Sequence, residues 1–250
     1  MKACALFSVV LLACFILFPS SCKKPVTGST LTLQLNAKYG TQNFALNAAN
    51  VDPQGRYIIM SALQFYLSHI YLIKTDSTKV KVSDIALFDF SNPSSLSVSI
   101  KNVEGNFTGI SFVCGLDSLT NDTTNPNNYS PPNPLSGDYN TYWLAWNSYR
   151  FEVMEGKWDT AVMPIMHYGI VYHIGRNLAY RQTQINKSFS VCCGTPYTLN
   201  LNLDVEKIFY NTSTNETLDI ATEGSTSSMP TDNPVILTTF ADNFSTAFSY

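Results

Sequence analysis

Two indoles three residues apart mark the stretch of this chain with the most chemistry in it. Tyr142-Trp143-Leu144-Ala145-Trp146-Asn147-Ser148-Tyr149-Arg150-Phe151 holds two of the three tryptophans, together with two tyrosines and a phenylalanine. Indoles in such a run can fill a core, offer a stacking surface, or become a metal ligand once oxidised. The three histidines, His69, His167 and His173, are few enough to weigh singly, and imidazole is the commonest metal ligand among side chains. His167 and His173 are six residues apart, which puts them on one face of a straight strand but roughly 20 Å from each other. They share one metal only if the chain turns between them, at Gly169. His69 lies in Tyr66-Leu67-Ser68-His69-Ile70-Tyr71-Leu72, far away in sequence, so any site joining it to His173 must be assembled across strands. The competing reading for each histidine is a hydrogen-bonded core imidazole.

Other reactive groups point to less. Glu152, Glu155 and Asp159 are close enough for paired acid–base work on a glycosidic bond, but on an acidic surface strand they read as solvated charges. Met154, Met163 and Met166 offer thioethers, for which core packing is the default. There is no His-Glu-x-x-His, Gly-x-Ser-x-Gly, phosphate-binding glycine loop or Cys-x-x-Cys, so the chain reads as a binding protein and not as an enzyme.

The elements that must position these groups are strands. Aromatics are 13% of the chain and charged residues only 13%, with Ser, Thr and Asn between apolar positions, a composition that favours β structure. Strict alternation marks Leu31-Thr32-Leu33-Gln34-Leu35-Asn36 and Leu199-Asn200-Leu201-Asn202-Leu203-Asp204-Val205 as half-buried strands. Shorter candidates fall at 65–73, 85–88, 96–100, 109–114, 143–154, 170–174 and 189–191. Many short strands at this spacing predict an all-β, antiparallel β-sandwich with long polar loops. A short C-terminal helix follows Asn233, which suits the cap, and Pro234, which suits the first turn; Leu237, Phe240, Ala241, Phe244 and Phe248 make its apolar face. The stretches 118–141 and 212–230 read as long loops, the first leading into the double-tryptophan strand. A single strand over 143–154 would place Trp143 and Trp146 on opposite faces, one in the core and one near His173.

The amino terminus carries an export signal. Lys2, an apolar run over 3–18, and small residues before Cys22 have the layout of a bacterial lipoprotein signal over residues 1–21. The mature chain is then lipidated at Cys22, tethered to a membrane of the cell envelope (by expectation the outer membrane, facing the periplasm or the surface) through residues 22–30, and carries one domain over 31–250. Loss of Lys2 leaves 14 of the 15 basic residues against 18 acidic ones, which argues against nucleic acid as a partner. Cys114, Cys192 and Cys193 remain, an odd number. Neighbouring cysteines bond to one another only with strain, so a possible disulfide joins Cys114 to Cys192 or Cys193.

A series of segments resembles one family in order along the chain. Phe65-Tyr66-Leu67-Ser68-His69-Ile70-Tyr71-Leu72, then Gly105-Asn106-Phe107-Thr108-Gly109-Ile110-Ser111-Phe112 with Gly115-Leu116-Asp117, Pro134-Leu135-Ser136, Tyr142-Trp143-Leu144-Ala145-Trp146, Glu155-Gly156, Tyr172-His173-Ile174-Gly175, Leu203-Asp204-Val205-Glu206-Lys207-Ile208-Phe209 and Phe240-Ala241-Asp242-Asn243-Phe244 are similar to the MbnP-like family of exported, methanobactin-associated proteins. The resemblance implies a β-sandwich that binds copper, in which a partner dihaem peroxidase oxidises a tryptophan to kynurenine. An indole nitrogen only donates, whereas the opened ring exposes an amine with a lone pair that can help histidine hold copper. Carried onto this sequence, Trp143 or Trp146 is the modified residue, His173 a ligand and His69 the second ligand. The chain departs from the expected pattern at Ser148, where glycine would precede Tyr149, and at Ser227-Ser228-Met229, which holds no histidine. The alternative is an envelope module without metal, in which exposed Tyr142, Trp143 and Tyr149 hold a glycan or a protein partner.

Overall fold

A computed structural model describes residues 28–161, 166–212, 215–222 and 233–250. The strands, in order, are β1 (Ser29–Tyr39), β2 (Gln42–Asn43), β3 (Ala49–Val51), β4 (Tyr57–Lys74), β5 (Lys79–Asp89), β6 (Ser97–Val103), β7 (Gly105–Cys114), β8 (Tyr142–Trp143), β9 (Ser148–Asp159), β10 (Tyr168–Gly175), β11 (Arg181–Val191), β12 (Tyr197–Asp204), β13 (Tyr210–Asn211), β14 (Glu216–Thr217) and β15 (Phe248–Ser249). Three helices accompany them: α1 (Ser118–Thr123), α2 (Glu206–Phe209) and α3 (Pro234–Thr246). The result is an all-β sandwich with a short C-terminal helix, as the alternation predicts. Cys22 and the signal expected over residues 1–21 lie outside the described residues.

One sheet runs β15-β12-β1-β2, with β6 also on β1; β1 and β12 pair in parallel, Leu33 opposite Leu199 and Leu35 opposite Leu201. The alternating leucines of both strands thereby turn the same way, and all six from Leu31 to Leu203 are buried. The other sheet runs β10-β9-β4-β7-β11, with β3 and β5 also on β4 and with β8 on β9. The 18-residue β4 is its spine: the first half pairs with β9, the second with β7. Helix α3 closes one end of the core. Asn233 caps it by accepting from the Ile236 amide at 3.2 Å, and Phe244 meets Phe65 edge-on at 5.0 Å. Phe248 falls beyond the helix, in β15 opposite Leu203.

Two sequence expectations need correction here. The stretch 118–141 is not a structureless loop but carries α1 and two short helical turns. It is pinned to the sheet: Asn121 accepts from the Tyr149 amide at 2.9 Å, and the Tyr149 and Tyr66 hydroxyls donate to the carbonyls of Leu135 and Pro134 at 2.7 and 2.8 Å. A bridge from Cys114 to Cys192 or Cys193 does not form. In the β7–β11 ladder Cys114 faces Arg181 while Gly105, nine residues back, faces Val191. The two cysteine sites therefore sit at opposite ends of the ladder, roughly 30 Å apart, far beyond the roughly 7 Å between Cα atoms that a disulfide spans.

Candidate functional site

The double-tryptophan segment turns where a continuous strand was expected. Tyr142 pairs with Tyr149 and Trp143 with Ser148, and the four residues between them form a turn closed by Trp146 N–H to Trp143 C=O and Asn147 N–H to Leu144 C=O, both 3.1 Å. Asn147 takes the left-handed conformation at φ 51, which asparagine tolerates because its short side chain bonds locally; here Tyr142 donates its hydroxyl to the Asn147 side-chain carbonyl at 2.9 Å. The turn overturns the separation of the two indoles onto opposite faces. They stack on each other, centroids 5.2 Å apart and planes 16° from parallel. Trp146 is buried and Trp143 half-buried. Leu144 at the tip is exposed.

Gly175 makes room for this arrangement. A β-carbon there would lie 2.7 Å from the Tyr149 carbonyl oxygen and 3.3 Å from Trp146 Cζ3, so only glycine lets β10 close over the indole. Arg176, next along, donates to the Trp146 carbonyl. Arg150 lies with its guanidinium 5.2 Å from the Trp143 ring centre and donates to the Asn140 carbonyl, tying the polar stretch to the hairpin.

His173 is the titratable group at the centre. Its ring meets Trp143 edge to face at 5.2 Å, and it is only 6% exposed. Its Nε2 is 2.7 Å from Glu155 Oε1 and 3.4 Å from Arg150 Nη1. The guanidinium can only donate, so the two contacts demand opposite roles of Nε2; the shorter, charge-assisted one decides, and Nε2–H donates to Glu155. Burial is the main cause holding the imidazole below the ordinary histidine value, opposed by Glu155 and assisted by Arg150. A neutral ring with its proton on Nε2 carries its lone pair on Nδ1, and that atom is buried without a hydrogen-bond partner among the described residues. Such an unsatisfied acceptor costs about 1–3 kcal/mol. A carboxylate holding one ring nitrogen while the other stays open is also how metal-binding histidines are oriented.

The remaining candidates lie elsewhere. His69 stands on a bulge of β4 at φ 50, with Nε2 3.5 Å from Asp117 Oδ2. It lines an open groove of about 530 Å³ with Tyr71, Lys79, Tyr180 and Gln182. His173 lies level with Gln64 through Val153, so His69 is roughly 16 Å further along β4 and about two strand spacings, roughly 10 Å, across. The structure does not bring His69 to His173, and no metal is shared across that distance. His167 is held by Asp159, Nδ1 to Oδ2 at 2.6 Å, away from both. Among the described residues no three His, Cys, Asp or Glu side chains gather around one point. Met154 and Met166 are buried, while Met163 and the segment 227–229 lie outside the described residues.

The carboxylates depart most from expectation. Glu155 is the partner of His173, and Glu152 and Asp159 are buried instead of solvated. Both Glu152 oxygens lack a hydrogen-bond partner among the described residues, and burial pushes its carboxyl well above the usual range against the pull of Arg181. Sequence reasoning missed Glu155, Arg150 and Gly175 as parts of the site. The available signal was two charged residues, 150 and 152, inside an apolar strand, where unpaired charges are costly.

The sequence itself matches a known family over most of its length. The family model described as MbnP matches residues 28–229. Among solved structures, MbnP from Methylosinus trichosporium superposes with a TM-score of 0.50 at 14% identity, covering 72% of this chain and 77% of that one, a likeness that shows the fold alone. No curated protein matches. With some 200 consecutive residues accounted for by that one model, the chain belongs to the MbnP family.

Proposed function

We propose that the Trp143–His173 centre binds copper after oxidation of Trp143 to kynurenine. One observation carries the reading: a buried neutral imidazole, oriented by Glu155 through Nε2 and left open at Nδ1, lies in ring contact with a half-buried indole. The residues present fit the metal as an incomplete set. His173 Nδ1 supplies one donor, and the kynurenine amine supplies a second. Arg150 nearby disfavours a divalent charge, so the centre suits the monovalent ion, which accepts two nitrogen donors.

The modification belongs to a partner, a dihaem peroxidase. Cleaving the C2–C3 bond of the indole adds two oxygen atoms, supplied by two equivalents of hydrogen peroxide with release of two waters. Hydrolysis of the resulting formyl group frees formate and leaves the aniline nitrogen. The chain's own residues position the target: Trp146 and His173 bracket the Trp143 ring, and the exposed hairpin tip at Leu144 presents it. The chain itself acts as a binding protein held at the cell envelope by lipid on Cys22. The alternative of an aromatic platform for a glycan has less support, because Tyr149 and Trp146 are buried and Trp143 spends its ring on Trp146, His173 and Arg150.

Co-production with a dihaem peroxidase, followed by peptide fragmentation and copper analysis, tests this. The expected result is kynurenine at Trp143, tryptophan retained at Trp146, and copper retained only in the modified protein. Unmodified indoles with no copper bound would leave the aromatic module in its place.

A further inference from the structure

The turn between β11 and β12 holds the chain's one pair of adjacent cysteines. It is a tight turn: the Thr195 amide donates to the Cys192 carbonyl at 3.2 Å, and Ser29, the first residue of β1, donates its hydroxyl to the same oxygen at 3.1 Å. Cys193 and Gly194 both adopt left-handed backbone, at φ 66 and φ 70. Glycine does this freely. For cysteine it is uncommon, and such outliers persist where the surroundings hold them. The outcome is that the two side chains converge, with Cys193 Sγ 2.9 Å from Cys192 Sγ, while both residues stay exposed. Cys114 is buried at the other end of the ladder and offers neither sulfur a competing partner.

We propose that Cys192 and Cys193 form a vicinal dithiol–disulfide redox pair, closed by exchange with an external disulfide and opened by an external dithiol. With the two sulfurs only 2.9 Å apart, closer than van der Waals contact, a mixed disulfide formed on one lies in direct reach of the other. The thiolate of one cysteine displaces one thiolate from the external disulfide and forms the mixed disulfide. The other cysteine then loses its proton and attacks the sulfur of the first, expelling the second thiol. Two protons and two electrons leave the protein, and one external disulfide becomes two thiols. Among the described residues only the Pro131–Pro132 peptide is cis, so the bond joining the cysteines is trans. It holds their Cα atoms about 3.8 Å apart, closer than the roughly 4.4–6.8 Å of ordinary disulfides, and the closed ring is correspondingly easier to reduce. That makes the pair a switch in place of a staple, set where the amino-terminal segment enters the domain.

Tryptic peptide 188–207 contains both cysteines and no other. The full-length chain is equilibrated with oxidised glutathione, alkylated and digested. The expected peptide is two hydrogens lighter and unalkylated; a dithiol reductant restores two alkylation sites, and Cys193→Ser traps glutathione on Cys192. Two alkylated thiols after oxidation, a glutathione on each cysteine, a link to Cys114, or a link between two chains would each overturn the proposal. The wild-type peptide gives this answer without relying on the folding of any variant.

Discussion

His173 and His69 both sit on strands of the same sheet with a carboxylate for a neighbour, yet only one is prepared for a ligand. Glu155 approaches His173 to 2.7 Å, and the imidazole is 8% exposed in its side chain; Asp117 stays 3.5 Å from His69, whose side chain is 40% exposed. Asp117 has other work, accepting from the Thr120 amide and hydroxyl at 2.9 and 2.8 Å as the cap of α1. At His173 burial removes water as a partner and leaves Nδ1 open. At His69 the ring stays open to solvent. The contrast teaches that a carboxylate beside a histidine is not enough: the ring must also be deprived of water before a metal becomes its best remaining partner.

The largest effect that tests this contrast is on copper. His173→Ala removes the one protein nitrogen that the centre supplies without modification, and copper retention falls more than about a hundredfold, a loss on the order of 3 kcal/mol or more. His69→Ala leaves retention unchanged. Equilibrium titration of the peroxidase-treated proteins with a Cu(I) chelator as competitor reads both. Equal losses in the two variants would erase the distinction.

How far the sequence carried this comparison depends on which residues are considered. The leucine alternation in β1 and β12 and the Asn233–Pro234 helix start were legible, because period and capping are local properties. The stacking of Trp143 on Trp146 was not. A strand and a two-strand hairpin differ here by a four-residue turn in which Asn147 alone is left-handed, and an asparagine between aromatic residues can serve either. Glu155 was legible as a charge but not as a partner. It lies diagonally across from His173, in register with Val171, and register is fixed only when the whole sheet forms. His69 resembled His173 in its alternating neighbours, and what separates the two is solvent access, which a short window does not encode.

The second test weakens the carboxylates and leaves the rings in place. Glu155→Gln keeps a hydrogen-bond acceptor but loses the charge that fixes the Nε2 tautomer, and copper affinity drops about 10–100-fold, the usual effect of removing such a partner. Asp117→Asn leaves affinity unchanged, and because asparagine caps helices about as well as aspartate, thermal stability shifts by only a few tenths of a kcal/mol. A third test concerns the hairpin. Gly175→Ala forces a methyl against the Tyr149 carbonyl and the Trp146 ring, at about 1–3 kcal/mol in denaturant unfolding. The Trp143–Trp146 stack loosens with it, and near-ultraviolet circular dichroism reports the change. An unchanged spectrum would mean that the stack does not depend on β10.

The last test separates burial of an acid from burial of a base. Glu152 is level with Ile174, next to His173 on β10, and burial moves the two groups in opposite directions. The Glu152 carboxyl titrates higher in the folded chain than in the unfolded one, where it is near 4.5. Between those values the folded state binds the extra proton, so stability is greatest below the unfolded value and falls as pH rises, by at most about 1.4 kcal/mol per pH unit. For His173 the folded value lies below 6.5; its contribution is complete above 6.5 and is lost as pH falls through the folded value. Glu152→Gln is uncharged at every pH and keeps the shape, so its unfolding free energy loses the decline on the alkaline side and keeps the loss on the acid side. Chemical denaturation from pH 4 to pH 8 measures both limbs in one series. If the variant declines with rising pH as steeply as the parent, the buried carboxylate is not its source, and burial at this strand does not act on Glu152 as it acts on His173.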